Sequence, residues 1–95
     1  MVIGVGIITL RLHECRSLKA KRGIIKSLIH RLQNGFNASI AEVSLNDSLT
    51  EAQIGFAMVG NDRRMINAKM DKLIDFTEKL YLAELIETKI EIMNI

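Results

Sequence analysis

Short runs rich in Val and Ile alternate along the chain with longer segments in which apolar side chains recur every three or four residues. Val2–Leu12 is dense in aliphatic residues and carries no charge before Arg11, which indicates a strand that is covered on both faces. Ala38–Val43, Gln53–Gly60 and Leu85–Ile92 are the other predicted strands. The last of these alternates apolar with charged residues, which is typical of a half-exposed strand.

Two helices are predicted between these strands. The first runs from about Leu18 to Asn34, with Ser17 as its N-cap and Gly35 as the left-handed residue that follows its end. The second begins after Asn61-Asp62, which supplies a capping side chain and a favourable negative charge. One side of the first helix is apolar, and its residues are Leu18, Ile25, Leu28, Ile29, Leu32 and Phe36.

The order of these elements is βαββαβ. Two right-handed βαβ units interleaved in one sheet form an α+β ferredoxin-like split βαβ plait, with a four-stranded antiparallel sheet and two helices on one face. The uncharged first and third strands suit the centre of the sheet. The strands that carry Glu42 and Glu87 suit its edges, where charge opposes aggregation. Residues 1–95 are expected to form a single domain, since the chain is too short for two cores.

The open face of this sheet predicts a second copy of the chain. If Ile8 and Leu10 face the helices, then Ile3, Val5 and Ile7 point to the uncovered face. Exposed contiguous apolar patches usually mark contacts. We therefore expect a homo-oligomer, most simply a homodimer, with these three residues in its interface.

Composition favours a cytoplasmic protein. The single cysteine, Cys15, cannot form an intramolecular disulfide, as is usual in a reducing compartment. The apolar start of the chain lacks a basic leader and is too short to span a bilayer, so no membrane association is expected.

The charge is unevenly distributed along the chain. Residues 1–36 hold seven of the thirteen Lys and Arg residues and a single acid, Glu14, which gives them a net charge of +6. Residues 37–95 have six basic and ten acidic residues, a net charge of −4. A basic segment of this kind attracts polyanions, above all RNA and DNA.

Most of the organised charge lies on the first helix. At about 100° per residue, Lys19, Arg22, Lys26 and His30 fall within an arc of about 80°. Arg11 and Arg16 precede the helix and could extend this patch around its start. Such a row matches a phosphate backbone better than one small anion. A solvated helix face, or a surface for an acidic protein, would show the same pattern. Lys21 falls on the apolar side, where its stem is expected to pack while the ammonium reaches solvent.

The chain resembles the YlxP-like family of small bacterial proteins of unknown function. The resemblance begins at Ser17-Leu18-Lys19-Ala20-Lys21-Arg22 and continues through Leu32 and Phe36–Val43. It resumes at Ala52, Gly55, Ala57, Val59, Asn61 and Asp62. Ala20 departs from the pattern, because members commonly carry Glu there. The resemblance implies a ferredoxin-like fold and, since such proteins are often encoded beside translation and ribosome-maturation factors, a role linked to RNA. It implies no catalytic residues.

Other candidate sites are weaker. His13 and Cys15 could share a face and hold a metal with His30, but no second cysteine or acidic companion supports them, so no metal site is expected. Gly4-Val5-Gly6 lies inside a strand and is better explained by close backbone packing than by phosphate binding. Only Phe56 offers an aromatic ring on the central strands, and its parity predicts the core face, which disfavours base stacking there.

The sequence thus leads to a non-enzymatic protein that binds structured RNA or a ribosomal particle, with no cofactor, catalytic residue or small-molecule substrate. The alternative is an oligomeric structural or regulatory module that binds a protein partner.

Overall fold

The computed structural model describes residues 1–95, which form four strands and two helices. The strands make one antiparallel sheet in the order β2-β3-β1-β4. The predicted α+β ferredoxin-like plait is therefore confirmed, and the strands that contain the uncharged segments Val2–Leu10 and Ile54–Gly60 lie in the centre. The predicted strand ends lie within two residues of the observed ones. In chain order the elements are β1 (Val2–Arg11), α1 (Leu18–Gly35), β2 (Ser39–Ser44), β3 (Glu51–Gly60), α2 (Arg63–Lys79) and β4 (Glu84–Asn94).

The register of β1 separates a core face from an open face. β1 pairs with β3 along its whole length, from Val2 opposite Gly60 to Arg11 opposite Glu51. It pairs with β4 on its other side, with an irregularity between Thr9 and Leu10. Residues that lie directly opposite each other share a face. The core face of the sheet and the inner sides of both helices enclose one apolar core, whose most buried members are Ile8, Leu10, Leu28, Leu32, Ile54, Met70 and Leu73.

Two glycines let large side chains approach the middle of β1. A side chain at Gly4 would meet Ile66 and Met70 of α2, at 2.6 and 2.9 Å from the new carbon. A side chain at Gly6 would overlap the ring of Phe56. The interpretation of this pair as a close backbone approach is confirmed, and Phe56 lies in the core with 4% of its surface exposed.

The start of α1 agrees with the prediction and its end does not. Ser17 is the N-cap, and its hydroxyl accepts a hydrogen bond from the Ala20 N–H at 3.0 Å. The prediction that Gly35 has a left-handed backbone is wrong, since no glycine in the protein has a positive φ. The helix instead continues through Gly35, and the N–H of the extended residue Phe36 bonds to the Leu32 carbonyl. Because the chain leaves straight into β2, no left-handed turn is needed.

The end of the sheet where β1 stops has unusual loops. Glu14, Leu45 and Tyr81 have φ values of 60°, 62° and 54°, in the left-handed region that L-residues avoid. They lie in the β1–α1, β2–β3 and α2–β4 loops, which meet there because β3 and β4 begin opposite Arg11.

α2 begins as predicted. Asp62 is its N-cap, and its carboxylate accepts hydrogen bonds from the N–H groups of Arg64 at 2.9 Å and Met65 at 3.3 Å. The two helices also meet through an edge-to-face contact between Phe36 and Phe76, with ring centres 5.6 Å apart. Neither helix is long and apolar enough to cross a membrane.

Candidate nucleic-acid interface

The outer face of α1 carries a row of cations without partners. Lys19, Arg22 and Lys26 are exposed, and none of them takes part in any of the ion pairs of the protein. The helix contains no acidic residue. Its buried residues, including Ile25 and Leu28, lie on the opposite side and fix the orientation of the row. At 1.5 Å per residue, the row from Lys19 to His30 extends over about 16 Å.

His30 closes this row at the C-terminal end. Its Nε2 atom lies 3.1 Å from the side-chain nitrogen of Asn34, one turn further along the helix. Which of the two groups donates depends on the tautomer of the imidazole and on the orientation of the amide. Lys19, Arg22 and Lys26 are the permanently charged members of the row.

A shallow hollow lies along the same face. It is bordered by Gly23, Lys26, Ser27, His30 and Gln33. Gly23 is exposed, and apart from its chain neighbours and the backbone of α1 itself no atom lies within 4 Å of the place where its side chain would begin. The helix backbone is therefore open to close approach at the centre of the row. Sequence reasoning missed this hollow, although Gly23 in the middle of a helix was a visible signal.

The two arginines that precede the helix lie in different places. Arg16 is exposed in the loop next to the N-cap Ser17 and extends the row at its start. Arg11 lies on the open face of the sheet, where its guanidinium is 3.9 Å from the carboxylate of Glu51. The structure thus places four of the six candidate residues on one face of α1 and Arg16 in the loop before it, and it separates Arg11, which follows the parity of its strand.

Some of the exposed cations outside α1 are paired with acids. Lys79 lies 2.9 Å from Asp75, whose hydrogen bond and negative charge raise the pKa of Lys79 above its usual value. Lys89 lies 3.8 Å from Glu87. Three exposed cations of α2 are also unpaired, but α2 contains three acids, whereas α1 contains none.

Lys21 does not reach solvent, so that expectation is wrong. The residue is 1% exposed, and its ammonium donates a hydrogen bond to the Leu45 carbonyl at 2.5 Å. Oε2 of Glu42 lies 3.3 Å from the ammonium, in the geometry of an ion pair without a hydrogen bond. The reason is that Glu42 is on the core side of its edge strand, opposite Ile54, and the β2–β3 loop covers the space above it. Lys21 therefore connects α1 to β2 and is not part of the candidate interface.

The three residues expected in an oligomer interface lie on the open face. Ile3 and Val5 are half-buried, and Ile7 is 38% exposed. Their neighbours on β3 are Val59, Ala57 and Gly55, and the β2 residue Val43 packs over Gly55. The centre of the open face is therefore aliphatic, while β4 places Glu91 and Lys89 beside it.

His13 and Cys15 are not brought together with His30. His13 Nε2 lies 2.8 Å from the carboxylate of Glu84, and the Cys15 thiol is directed to the Ser17 carbonyl at 3.5 Å. No three His, Cys, Asp or Glu side chains lie close enough together to hold a metal ion.

The comparison with known proteins can now be set beside this geometry. Residues 3–90 match the family described as "Protein of unknown function (DUF503)". The chain belongs to this family. The "Uncharacterized protein YlxP" of Bacillus subtilis (strain 168) is 30% identical to this chain over 67 residues, which cover 70% of this chain and 73% of the relative. The resemblance to the YlxP-like family is confirmed.

The fold of this chain is also similar to that of a solved protein with a different sequence. The de novo designed protein Foldit4 superposes with a TM-score of 0.55 at 13% identity, over 100% of this chain and 99% of the designed one. This likeness shows the fold alone. The designed protein and this chain share the arrangement of the elements, and the outer face of α1 has to be interpreted from its own residues.

Proposed function

We propose that this protein is a non-enzymatic, cytoplasmic RNA-binding protein that contacts structured RNA or a ribosomal particle through the outer face of α1. The observation that supports this proposal is the row of Lys19, Arg22 and Lys26, exposed, unpaired and carried by a helix that has no acid. A row of separate cations suits several phosphates in succession.

The environment of Gly23 also supports a macromolecular ligand. Glycine inside an exposed helix costs about 0.5–1 kcal/mol relative to alanine, and no neighbouring atom requires its small size. A partner that packs against the helix backbone between the Lys19 and Lys26 side chains would require it. Phosphate oxygens and ribose groups make such close backbone contacts in nucleic-acid complexes.

The charge and shape of this face favour contacts to the backbone of RNA over contacts to bases. Lys and Arg on a convex helix meet phosphates, and the deep groove of an RNA duplex excludes side chains from the base edges. Recognition by α1 is therefore expected to depend on the shape of the RNA, with little dependence on its sequence.

Salt dependence tests this proposal. The variant Lys19→Gln/Arg22→Gln/Lys26→Gln should bind an RNA stem more weakly than the unmodified protein. The slope of the logarithm of affinity against the logarithm of salt should fall by about two to three, because each phosphate contact contributes about 0.7–0.9. Fluorescence anisotropy with a labelled stem, measured at several salt concentrations, gives both quantities.

A matched control variant distinguishes the effect of the row on RNA binding from the effect of net charge. Arg63→Gln/Arg64→Gln/Lys72→Gln removes the same three charges from exposed positions of α2. This control should leave the slope within about one unit of the original value, since it removes at most a peripheral contact. An equal loss in both variants would mean that only net charge matters. No binding by the unmodified protein at low salt would refute the proposal.

A second function is supported by the open face of the sheet, which suits a second copy or a protein partner. Strands of 10, 6, 10 and 11 residues give a face of roughly 600 Å² at ~3.4 Å per residue and ~4.8 Å between strands. A standard interface takes roughly 800 Å² from each partner and the smaller ones about 600 Å², so the face suits a modest homodimer. The aliphatic centre formed around Ile3, Val5 and Ile7 would be covered in such a dimer.

Light scattering tests the dimer. Val5→Lys should shift the protein towards the monomer without unfolding it, because a charge in the centre of the interface would lose its solvation. Met65→Lys is the control, since Met65 is 69% exposed on α2, away from the open face. A monomer at tens of micromolar for the unmodified protein would refute a dimer whose Kd is on the order of micromolar.

A further inference from the structure

Tyr81 occupies a position that normally suits glycine. It follows Leu80, the C-cap of α2, and has a left-handed backbone with φ of 54°. Its N–H points back to the Glu78 carbonyl at 3.4 Å, so it ends the helix in the way that left-handed glycines commonly do. A bulky side chain makes this conformation costly. The ring is 86% exposed, so packing within the chain does not offset that cost.

The ring borders a hollow with a mixed lining. The space is about 510 Å³, within the range of sites for small planar ligands. Leu82, Ala83 and Leu85 supply apolar surface beside the ring. His13, Glu78 and Glu84 supply the polar side, with the imidazole of His13 2.8 Å from the carboxylate of Glu84.

The charge of this lining selects against phosphate. The lining contains two carboxylates and one histidine, and that histidine is already paired with Glu84. A carboxylate accepts hydrogen bonds from the amino groups of a nucleobase and repels a phosphate. An exposed aromatic ring beside apolar surface is the usual platform for an unstacked base.

The hollow lies at the end of the sheet where α1 begins. His13 is four residues before Ser17, the N-cap of α1, and four residues of chain span at most about 14 Å. A nucleic-acid strand whose phosphates follow the outer face of α1 can therefore place a neighbouring base in the hollow.

We infer that the hollow beside Tyr81 binds an unpaired RNA base, stacked on the Tyr81 ring and bonded through its amino group to the carboxylates of the lining. This inference rests on the proposed RNA-binding function. It adds a preference for stems that carry a bulged or overhanging nucleotide, which the row on α1 does not provide.

Two RNAs test the inference, a fully paired stem and the same stem with one unpaired adenosine. The unmodified protein should bind the second about fivefold or more tightly, as expected for one base stacked on an aromatic ring. Tyr81→Phe should keep this preference. Tyr81→Gly should lose it while its affinity for the paired stem stays the same, because the Gly variant keeps the cations of α1. Equal affinity of the unmodified protein for both RNAs, or an unchanged preference in the Gly variant, would overturn the inference alone. Binding to neither RNA would overturn the RNA function as well.

Fluorescence gives a direct signal from the ring. The chain contains one tyrosine and no tryptophan, so its ultraviolet emission reports Tyr81 alone. The RNA with the unpaired adenosine should quench this emission more than the paired stem, after correction for absorbance with free tyrosine amide. Adenosine monophosphate separates a base within RNA from a free nucleotide. Equal quenching by adenosine monophosphate at the same concentration would contradict the assignment to RNA.

Discussion

Replacing Gly23 by alanine should make the protein more stable and, at the same time, weaken its binding to RNA. Gly23 lies in the middle of α1, has an ordinary helical φ, and has no atom within 4 Å of the site of the new methyl group. The substitution therefore gains helix propensity without a steric penalty. The expected gain is about 0.5–1 kcal/mol in the free energy of unfolding. For a domain of this size, that corresponds to a rise in Tm of about 2–8 °C.

Thermal and urea unfolding followed by circular dichroism measure this gain. Gly6→Ala is the matched control, since the same methyl group there would overlap the Phe56 ring and should lower stability. The two variants make the same chemical change with opposite expected signs. A loss of stability in both would refute the conclusion that the backbone at Gly23 is unstrained and uncovered.

The effect of Gly23→Ala on RNA binding distinguishes a close contact with the helix backbone from the attraction of the cations. Gly23→Ala removes no cation, so the salt slope for an RNA stem should remain the same while the affinity falls at every salt concentration. The triple Gln variant of the row should lower both. A Gly23→Ala protein that is more stable and binds with unchanged affinity would show that the RNA does not approach the helix backbone.

Three further predictions concern stability and use the same urea unfolding measurement. Lys21→Met should lower the free energy of unfolding by about 3–5 kcal/mol, because it leaves the Glu42 carboxylate without its partner. The double variant Lys21→Met/Glu42→Leu should recover most of this loss, and a loss under about 1 kcal/mol in the single variant would contradict the buried pair. Leu28→Ala should cost about 2–5 kcal/mol and Lys26→Ala only a few tenths, so equal effects would mean that α1 is rotated. Tyr81→Gly should gain about 1 kcal/mol by relieving the left-handed backbone, and a loss of stability would show that the ring packs within the chain.

The fold could be predicted from the sequence because each element carries its own local signal. The alternation in β1 correctly divided Ile8 and Leu10 from Ile3, Val5 and Ile7. Such signals depend on neighbours in the chain and on the periods of strands and helices, which hold wherever the element lies. The same parity explains why Arg11 lies on the open face, opposite Glu51, and not beside the row of α1.

The errors arose where distant segments decide the outcome. A helical wheel gives the direction of Lys21, but its ammonium is fixed by Glu42 and by the Leu45 carbonyl, 21 and 24 residues further along. The end of α1 at Gly35 depends on where β2 begins, which no local pattern contains. The left-handed backbone of Tyr81 has no sequence signal either, because a tyrosine there contradicts the usual preference for glycine.

The row of cations alone does not distinguish an RNA-binding face from a solvated one, because Lys and Arg also improve solubility. Gly23 and Tyr81 are the observations that support the proposed RNA-binding face over a solvated one. A solvated helix face gains nothing from a glycine that alanine could replace without a clash. A solvated helix end gains nothing from an exposed ring on a left-handed residue. Positions that oppose local preference without compensation inside the chain are expected at functional sites. A strand of RNA that contacts both positions, as proposed above, would account for the two costs together.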